Sequence, residues 1–383
     1  MNFTIVLLSL AAFASAASLR VTDALLPRLA SQFQVGLAQA ASVITVFAVA
    51  YGAMQIAFGP LGDRFGKLRV ISLAAIGAAG ATLLCFFAQT FETFLVGRVL
   101  AGALCGSIIP LAMAWIGDVV PYEQRQPVLA RFLIGQITGI GAGAGVGGFA
   151  AESADWRWPF ALLAAWLLPS AIFLLRASRH DPAPRRTRES RFYHDLWNVA
   201  RSRWARIVIG TVSLEGIIVF GALAFIPTHL SFARGFAISR AGLAMVMFSA
   251  GGVAFALFAR PVLRRLGEAG LATVGTMFLA SGLALVAWTP APAVAPWACL
   301  LGGLGFYMLH NTLQTNATQM APQHRGAGMA LFASMFFLGQ SAGVAAAGFA
   351  AESSAPFYVL VGAAVAIVPV GLNFARLRRR AAA

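Results

Sequence analysis

Long apolar runs alternate with short polar breaks along the whole chain. The runs lie at 3–29, 38–60, 70–89, 93–117, 128–150, 157–176, 206–230, 240–259, 270–289, 296–319, 327–349 and 356–375. A helix needs about 20 apolar residues to cross the hydrocarbon core of a bilayer, so the pattern predicts twelve membrane-spanning helices. Interior glycine and proline do not weaken this reading, because membrane helices tolerate both. The first run needs separate thought. "MNFTIVLLSLAAFASAAS" resembles a secretory signal peptide, but it lacks the basic n-region such a peptide carries. Its apolar character also continues to Leu29. The expectation is an uncleaved first helix.

Composition agrees with the pattern. Hydrophobic residues make up 59% of the 383-residue chain and charged residues 11%, against about 25% charged in a soluble domain. A net charge of +15 on a soluble protein would suggest nucleic acid, but the placement of the charges points elsewhere. The breaks after the second, fourth, sixth, eighth and tenth runs, with the C-terminal tail, hold most of the 28 basic residues. By the positive-inside rule these breaks and both termini face the cytoplasm. The densest cluster, Arg176–Arg206, includes "RASRHDPAPRRTRESR" and reads as a solvated linker that sets topology and touches anionic lipid headgroups. Cys85, Cys105 and Cys299 sit inside apolar runs without metal or redox spacing, so they read as core residues. Lysine occurs once, at Lys67, amid abundant Ala and Gly, a bias of GC-rich coding that hints at a bacterium.

The chain repeats itself. "GIGAGAGVGGFAAES" (139–153) recurs as "GQSAGVAAAGFAAES" (339–353), with Gly139, Gly143, Gly148 and the FAAES end in common. Arg125 and Arg325 also recur, each shortly after a proline. "GPLGDRFG" (59–66) has a worn copy, "RPVLRRLG" (260–267), one residue out of that register. The expected organisation is two six-helix units, 1–176 and 206–383, joined by a basic linker over 177–205. Parallel repeats of this kind mark transporters, with the substrate site near the midplane between the units.

Four stretches then resemble one family. "GPLGDRFGKLR" (59–69) matches, at every defined position, the loop 2–3 signature G-x-L-x-D-R-x-G-[RK]-x-[RK] of the major facilitator superfamily. "LVGRVLAGALCG" (95–106) is similar to its fourth-helix motif R-x-x-Q-G, keeping Arg98 and Gly102 with Ala101 in place of Gln. "GIGAGAGVGG" resembles the fifth-helix antiporter motif through Gly139, Gly143, Gly147 and Gly148, with Ala144 where the proline belongs. "DALLP" (23–27) is similar to the first-helix motif of the twelve-helix drug:proton antiporters. The resemblance covers essentially the whole chain. It implies an all-α integral membrane fold of twelve helices in two six-helix bundles, working by alternating access as a monomer in a bacterial inner membrane. It implies no cofactor beyond a proton gradient, and as partners a small-molecule substrate, protons and lipid. It also implies a cytoplasmic gate built from Gly59, Asp63, Arg64, Gly66, Lys67 and Arg69, with Asp63 facing the start of helix 11. The inner-end carboxylate Asp118 offers a partner to Arg64, Lys67 or Arg69. For the glycine-rich fifth helix, close helix packing stands beside an export role.

Ionisable side chains inside a bilayer are costly and face a bundle interior or a wet cavity. Arg20 and Asp23 lie on helix 1, Arg98 on helix 4, Glu215 on helix 7 and His310 on helix 10; in the family those helices line the cavity. At about 1.5 Å per residue, Asp23 and Arg98 reach similar depth near the outer face. An Arg20–Asp23–Arg98 cluster is therefore expected, as a proton-coupling group, as a static tie between helices 1 and 4, or as an exposed pair at the outer end. Glu215 falls near the midplane with no cation adjacent in sequence, and is read as a second proton carrier, an anchor for a cationic substrate, or a hydrogen-bonded carboxyl. "HNTLQTNATQ" (310–319) carries His310, Asn311 and Gln314 on neighbouring faces, candidates for substrate contact or for bonds between helices.

The leading expectation is proton-coupled efflux of small organic molecules. An importer or uniporter of a nutrient such as a sugar or organic acid is the alternative on the same fold. No HExxH, nucleotide loop or Cys/His metal spacing supports a membrane-embedded enzyme, and a transport-silent sensor is the remaining class.

Overall fold

A computed structural model describes residues 2–153, 155–180, 189–232, 234–289, 291–321, 323–354 and 356–382. The expected linker lies partly outside them, at 181–188. Among the described residues there is no strand; the chain runs through α1 (Asn2–Arg20), α2 (Leu26–Phe33), α3 (Leu37–Phe65), α4 (Lys67–Phe87), α5 (Phe91–Cys105), α6 (Ile108–Val119), α7 (Tyr122–Glu152) and α8 (Trp158–Ala177). It continues through α9 (Glu189–Arg201), α10 (Arg203–Glu215), α11 (Gly221–Leu223), α12 (Ile226–Phe232), α13 (Ile238–Trp288), α14 (Val294–Gln319), α15 (Arg325–Ser354) and α16 (Pro356–Ala382). Among the described residues, ten stretches are long and apolar enough to cross a membrane. One of them is the 51-residue α13, which breaks at Gly267 (φ 64°, ψ 175°). The 26-residue α14 falls outside the ten; its polar end, 310–319, lowers its apolar content.

Three runs that read as continuous helices are interrupted. The run 3–29 becomes α1 and α2 with a turn at 21–25, and 93–117 becomes α5 and α6 around Gly106–Ser107. The run 206–230 becomes α10, a π-helical turn at Gly216–Phe220, α11 and α12. Such breaks free backbone groups, which a bilayer tolerates only where protein covers them. The charged stretch 59–69 is also not a loop. α3 continues through Pro60 to Phe65, and the whole reversal falls on Gly66 at φ 91°, ψ 127°, a conformation that excludes a Cβ.

Two apolar cores result. One gathers mainly buried residues between Ile5 and Leu174, the other mainly those between Val199 and Ala375. They meet along two seams, α7 against the first part of α13 and α3 against α15. In the first seam a Cβ on Gly145 would lie 3.0 Å from Val246, and one on Gly148 would lie 3.0 Å from the Cα of Gly242. In the second, Tyr51 and Phe337 stack at 4.3 Å between centroids, and Ser334 Oγ donates to the Gly52 carbonyl at 2.7 Å. These contacts run from mid-bundle to the end that carries Glu152 and Glu352.

The repeated glycines divide their work by face. Gly139, Gly143 and Gly147 lie against the Phe13, Ala17 and Val21 carbonyls of α1, inside the first core. Gly339 and Gly343 lie against the Ser213 and Ile217 carbonyls, inside the second. Gly148 and Gly348 face the other core. Because the opposing atoms are backbone, a larger side chain cannot be absorbed by a rotamer change, and overpacking costs about 1–3 kcal/mol or more. Gly143→Val and Gly343→Val are each expected to reduce the monodisperse fraction on fluorescence-detected size-exclusion chromatography severalfold. Parental yield and melting would mean that these helices are not held at this spacing.

Candidate functional site

The break after α1 builds the first part of the site. Arg20 ends α1, and a turn bond from the Asp23 amide to the Arg20 carbonyl at 3.2 Å folds the two side chains together. Arg20 Nη1 donates to Asp23 Oδ2 at 3.1 Å, with both side chains buried. The Arg20 guanidinium also lies 4.3 Å above the centre of the Phe220 ring, reaching from one core to the other. Phe220 belongs to the π-helical turn, whose wider coil turns the ring inward.

Arg98 does not complete the expected triad. It donates to the Ser18 carbonyl at 2.9 Å, the Val43 carbonyl at 3.3 Å and Thr22 Oγ1 at 3.4 Å, and it stacks over Phe47 at 4.1 Å. Asp23 pairs with Arg20, and Asp23 Oδ1 finds no hydrogen-bond partner among the described residues. The reason is the unwinding at 21–25. It leaves the Ser18 carbonyl without its usual amide and sets the Thr22 hydroxyl beside it, and the guanidinium fork, with five donors and no acceptor, is drawn to both. The expectation of an exposed outer-end pair is corrected as well, since Asp23 is fully buried.

Glu215, the last residue of α10, is fully buried and bonds His310 of α14, Oε2 to Nδ1 at 2.7 Å. An ionised Glu215 accepts this bond from Nδ1–H, and a protonated Glu215 donates it to a bare Nδ1, so one proton has two homes along the contact. Glu215 Oε1 has no hydrogen-bond partner in the protein. The imidazole stacks on Phe306 at 5.1 Å and touches Phe336 at 4.7 Å and Phe332 at 5.6 Å. Phe306 and Phe336 in turn hold Phe220 at 5.3 and 5.1 Å. A continuous set of rings therefore links the Arg20–Asp23 pair to the Glu215–His310 pair. Asn311 is exposed and Gln314 half-buried on the same helix as His310.

At the end carrying Gly66, Lys67 joins Asp63 at 2.9 Å and Asp118 at 2.8 Å, so it is the cation that meets Asp118. Arg64 lies over the Phe65 ring at 5.0 Å and Arg69 is exposed. A Cβ on Gly59 would touch the Phe192 ring of α9 at 3.4 Å. The side chain of Arg325, where α15 begins, lies outside the described residues, as does that of Arg125. Sequence reading missed the counterpart in the second core. Glu268 follows Gly267 as Lys67 follows Gly66, and it binds Arg378 at 2.8 Å and Asn316 at 2.9 Å. The repeated glycine was its signal. The inverted charge hid it.

The chain is 25% identical over 370 residues to an uncharacterised MFS-type transporter, YwfA of Bacillus subtilis (strain 168), covering 94% of this chain and 87% of that protein. It is 28% identical over 153 residues to the multidrug export protein EmrB of Haemophilus influenzae, covering 40% of this chain and 30% of EmrB. Among solved structures, a bacterial homologue of the human lysosomal transporter Spinster, inward-facing and unoccupied, superposes with a TM-score of 0.81 at 16% identity, covering 99% of this chain and 97% of that one. The nucleoside transporter NupG superposes with a TM-score of 0.74 at 15% identity, covering 98% of each chain. A family model described as Major Facilitator Superfamily matches residues 8–344. With that span well over half its length, the chain belongs to the Major Facilitator Superfamily, as a multi-pass membrane transporter and not an enzyme.

Proposed function

We propose that this transporter exports small organic molecules in exchange for protons by alternating access. In this reading twelve helices form two bundles, 1–176 and 206–383, around a central cavity, with α13 counted as two spans and α14 as one. The arginine-rich breaks and both termini face the cytoplasm of a bacterial cell, the protein lies in the inner membrane, and it works as a monomer. The end carrying Glu152 and Glu352 is then periplasmic, and its packed seams make the structure inward-facing. Asp63 serves as the cytoplasmic latch that engages α15 when the cavity opens outward.

One observation carries the proposal. A fully buried Glu215 carboxyl lies 2.7 Å from the His310 imidazole, beside the contact between the two cores. A buried carboxyl–imidazole pair has little structural advantage over apolar residues of the same volume, whereas proton movement requires groups of this kind. The Phe220, Phe306 and Phe336 rings beside it suit a lipophilic substrate, and the multidrug-export relatives support efflux. In everted vesicles energised to an acidic interior, adding a transported substrate should dissipate the pH gradient, with proton release scaling with substrate uptake. Substrate accumulation that ignores an imposed pH gradient would refute proton coupling. Gradient-driven uptake in right-side-out vesicles alone would favour the nutrient importer.

A further inference from the structure

The FAAES ends of the internal repeat contribute nothing to the site just described, yet they occupy equivalent places. Glu152 ends α7 and Glu352 lies near the end of α15, 200 positions apart. The Ser239 amide donates to Glu152 Oε1 at 3.0 Å, and the Ala38 amide donates to Glu352 Oε1 at 3.0 Å. Both donors are the second residue of their helix, α13 and α3. In each case the carboxylate belongs to one core and the helix to the other.

These helices cannot cap themselves. An N-cap side chain normally accepts from the second or third amide of the helix. The N-cap residue of α3 is Gly36 and that of α13 is Ala237, and neither position makes a side-chain cap bond. The missing acceptor arrives from the opposite core, carrying a negative charge to the positive end of the helix dipole. A Cβ on Gly36 would collide with Glu352 Oε1, so glycine there leaves the space the carboxylate uses.

We infer that Glu152 and Glu352 form a paired periplasmic seal, each closing one of the two seams by capping a helix of the other bundle. When the bundles rock apart at this end, both carboxylates lose their amides at once, and the first turns of α3 and α13 exchange a charge-assisted bond for water. The seal therefore favours the inward-facing state by the difference between those conditions. The inference takes its sidedness from the proposed orientation and is independent of substrate and of proton coupling.

The test uses the full-length protein in right-side-out membrane vesicles, with Cys85, Cys105 and Cys299 replaced by Ala. Val246→Cys, which faces Gly145 within a seam, reports outward opening through its labelling by a membrane-impermeant maleimide. Loss of an N-cap commonly changes an equilibrium by about fivefold. Glu152→Ala and Glu352→Ala are each expected to raise the labelling rate by about that factor, and the double variant by about 25-fold because distant sites add. Glu152→Asp, which withdraws the carboxylate by one methylene, should behave like Glu152→Ala. Ala237→Asp supplies α13 with a cap of its own, at a backbone conformation (φ −56°, ψ 137°) suited to an N-cap. It should raise labelling comparably without removing any capping group, so a folding defect cannot imitate the result.

Labelling unchanged in both Ala variants overturns the inference, and so does a change confined to one of them. Parental behaviour of Glu152→Asp or Ala237→Asp overturns it too, because surface charge and not amide capping would then be responsible. A second reporter, Thr318→Cys, lies exposed at the opposite end. If it, and not Val246→Cys, reacts in right-side-out vesicles, the proposed orientation fails. The ratio between capped and uncapped variants is then read at Val246→Cys in everted vesicles, where the reagent meets that end.

Discussion

Glu215→Gln is expected to abolish proton-driven accumulation while leaving substrate exchange intact. One elementary charge crossing about 100 mV gains roughly 2.3 kcal/mol, which at about 1.4 kcal/mol per factor of ten sustains a substrate ratio of roughly fifty. A glutamine cannot carry that proton, so the ratio should collapse to about one. Counterflow, which needs no net proton, should continue at near-parental rate. Glutamine keeps the volume of the side chain, and its amide N–H can donate to His310 Nδ1, so the bond between α10 and α14 survives. Folding and coupling are thereby separated. His310→Gln should also lower accumulation, since it removes the second home for the shared proton. The measurement is steady-state accumulation in everted vesicles beside counterflow in de-energised ones. If Glu215→Gln accumulates substrate at the parental ratio, Glu215 is a structural carboxyl and the proposed coupling route is wrong.

The second large effect is expected at Asp23. Arg20 is almost completely buried, and Asp23 is the carboxylate it meets. Asp23→Asn leaves the guanidinium with the Phe220 ring but without its counter-charge. Breaking one side of a buried ion pair costs about 3–5 kcal/mol. At a few degrees per kcal/mol, the melting temperature in detergent should fall by on the order of 10 °C. Arg20→Gln combined with Asp23→Asn removes both charges and should recover most of that loss, because the two effects are coupled and do not add. Transport then separates the two roles left open by the sequence. A static tie predicts that the double variant regains coupled flux along with stability. A proton carrier at Asp23 predicts restored melting with coupled flux still absent. An Asp23→Asn protein that melts like the parent would show that Arg20 is not held by this pair.

The first effect depends on a connection that no single stretch of the chain contains, whereas Arg20 and Asp23 lie one turn apart. Asp23, Arg20, Glu215 and His310 stand out in the sequence because each is an ionisable group in an apolar run, where its cost demands a use. The pairing of Glu215 with His310 spans 95 positions, and Phe220, the ring between the two pairs, is one aromatic among 30 phenylalanines. Arg98 shows the opposite case. Its depth suggested Asp23 as partner, but the unwound end of α1 presented the Ser18 carbonyl and the Thr22 hydroxyl, which took its donors. The glycine-rich helix α7 was legible as a packing helix. Its separation into one face for α1 and another for α13 was not, because alternate glycines look identical until the neighbours are in place.

What the sequence determined by itself was that the chain is an all-helical, multi-pass membrane protein. Apolar length is a one-dimensional property, and the bilayer acts on it locally, through hydrocarbon thickness and the cost of exposed backbone. Family membership followed from motifs as local as these. The tertiary structure decided where helices break, how each is rotated about its axis, and which carboxylate meets which cation or amide. Those outcomes depend on contacts between segments far apart in the chain. A rotation of one residue, about 100° on a helix, would change every partner while leaving hydrophobic length and charge unaltered. For that reason Glu152 and Glu352 are conspicuous in the sequence only as repeated letters, and gain their role as caps once two bundles close over them.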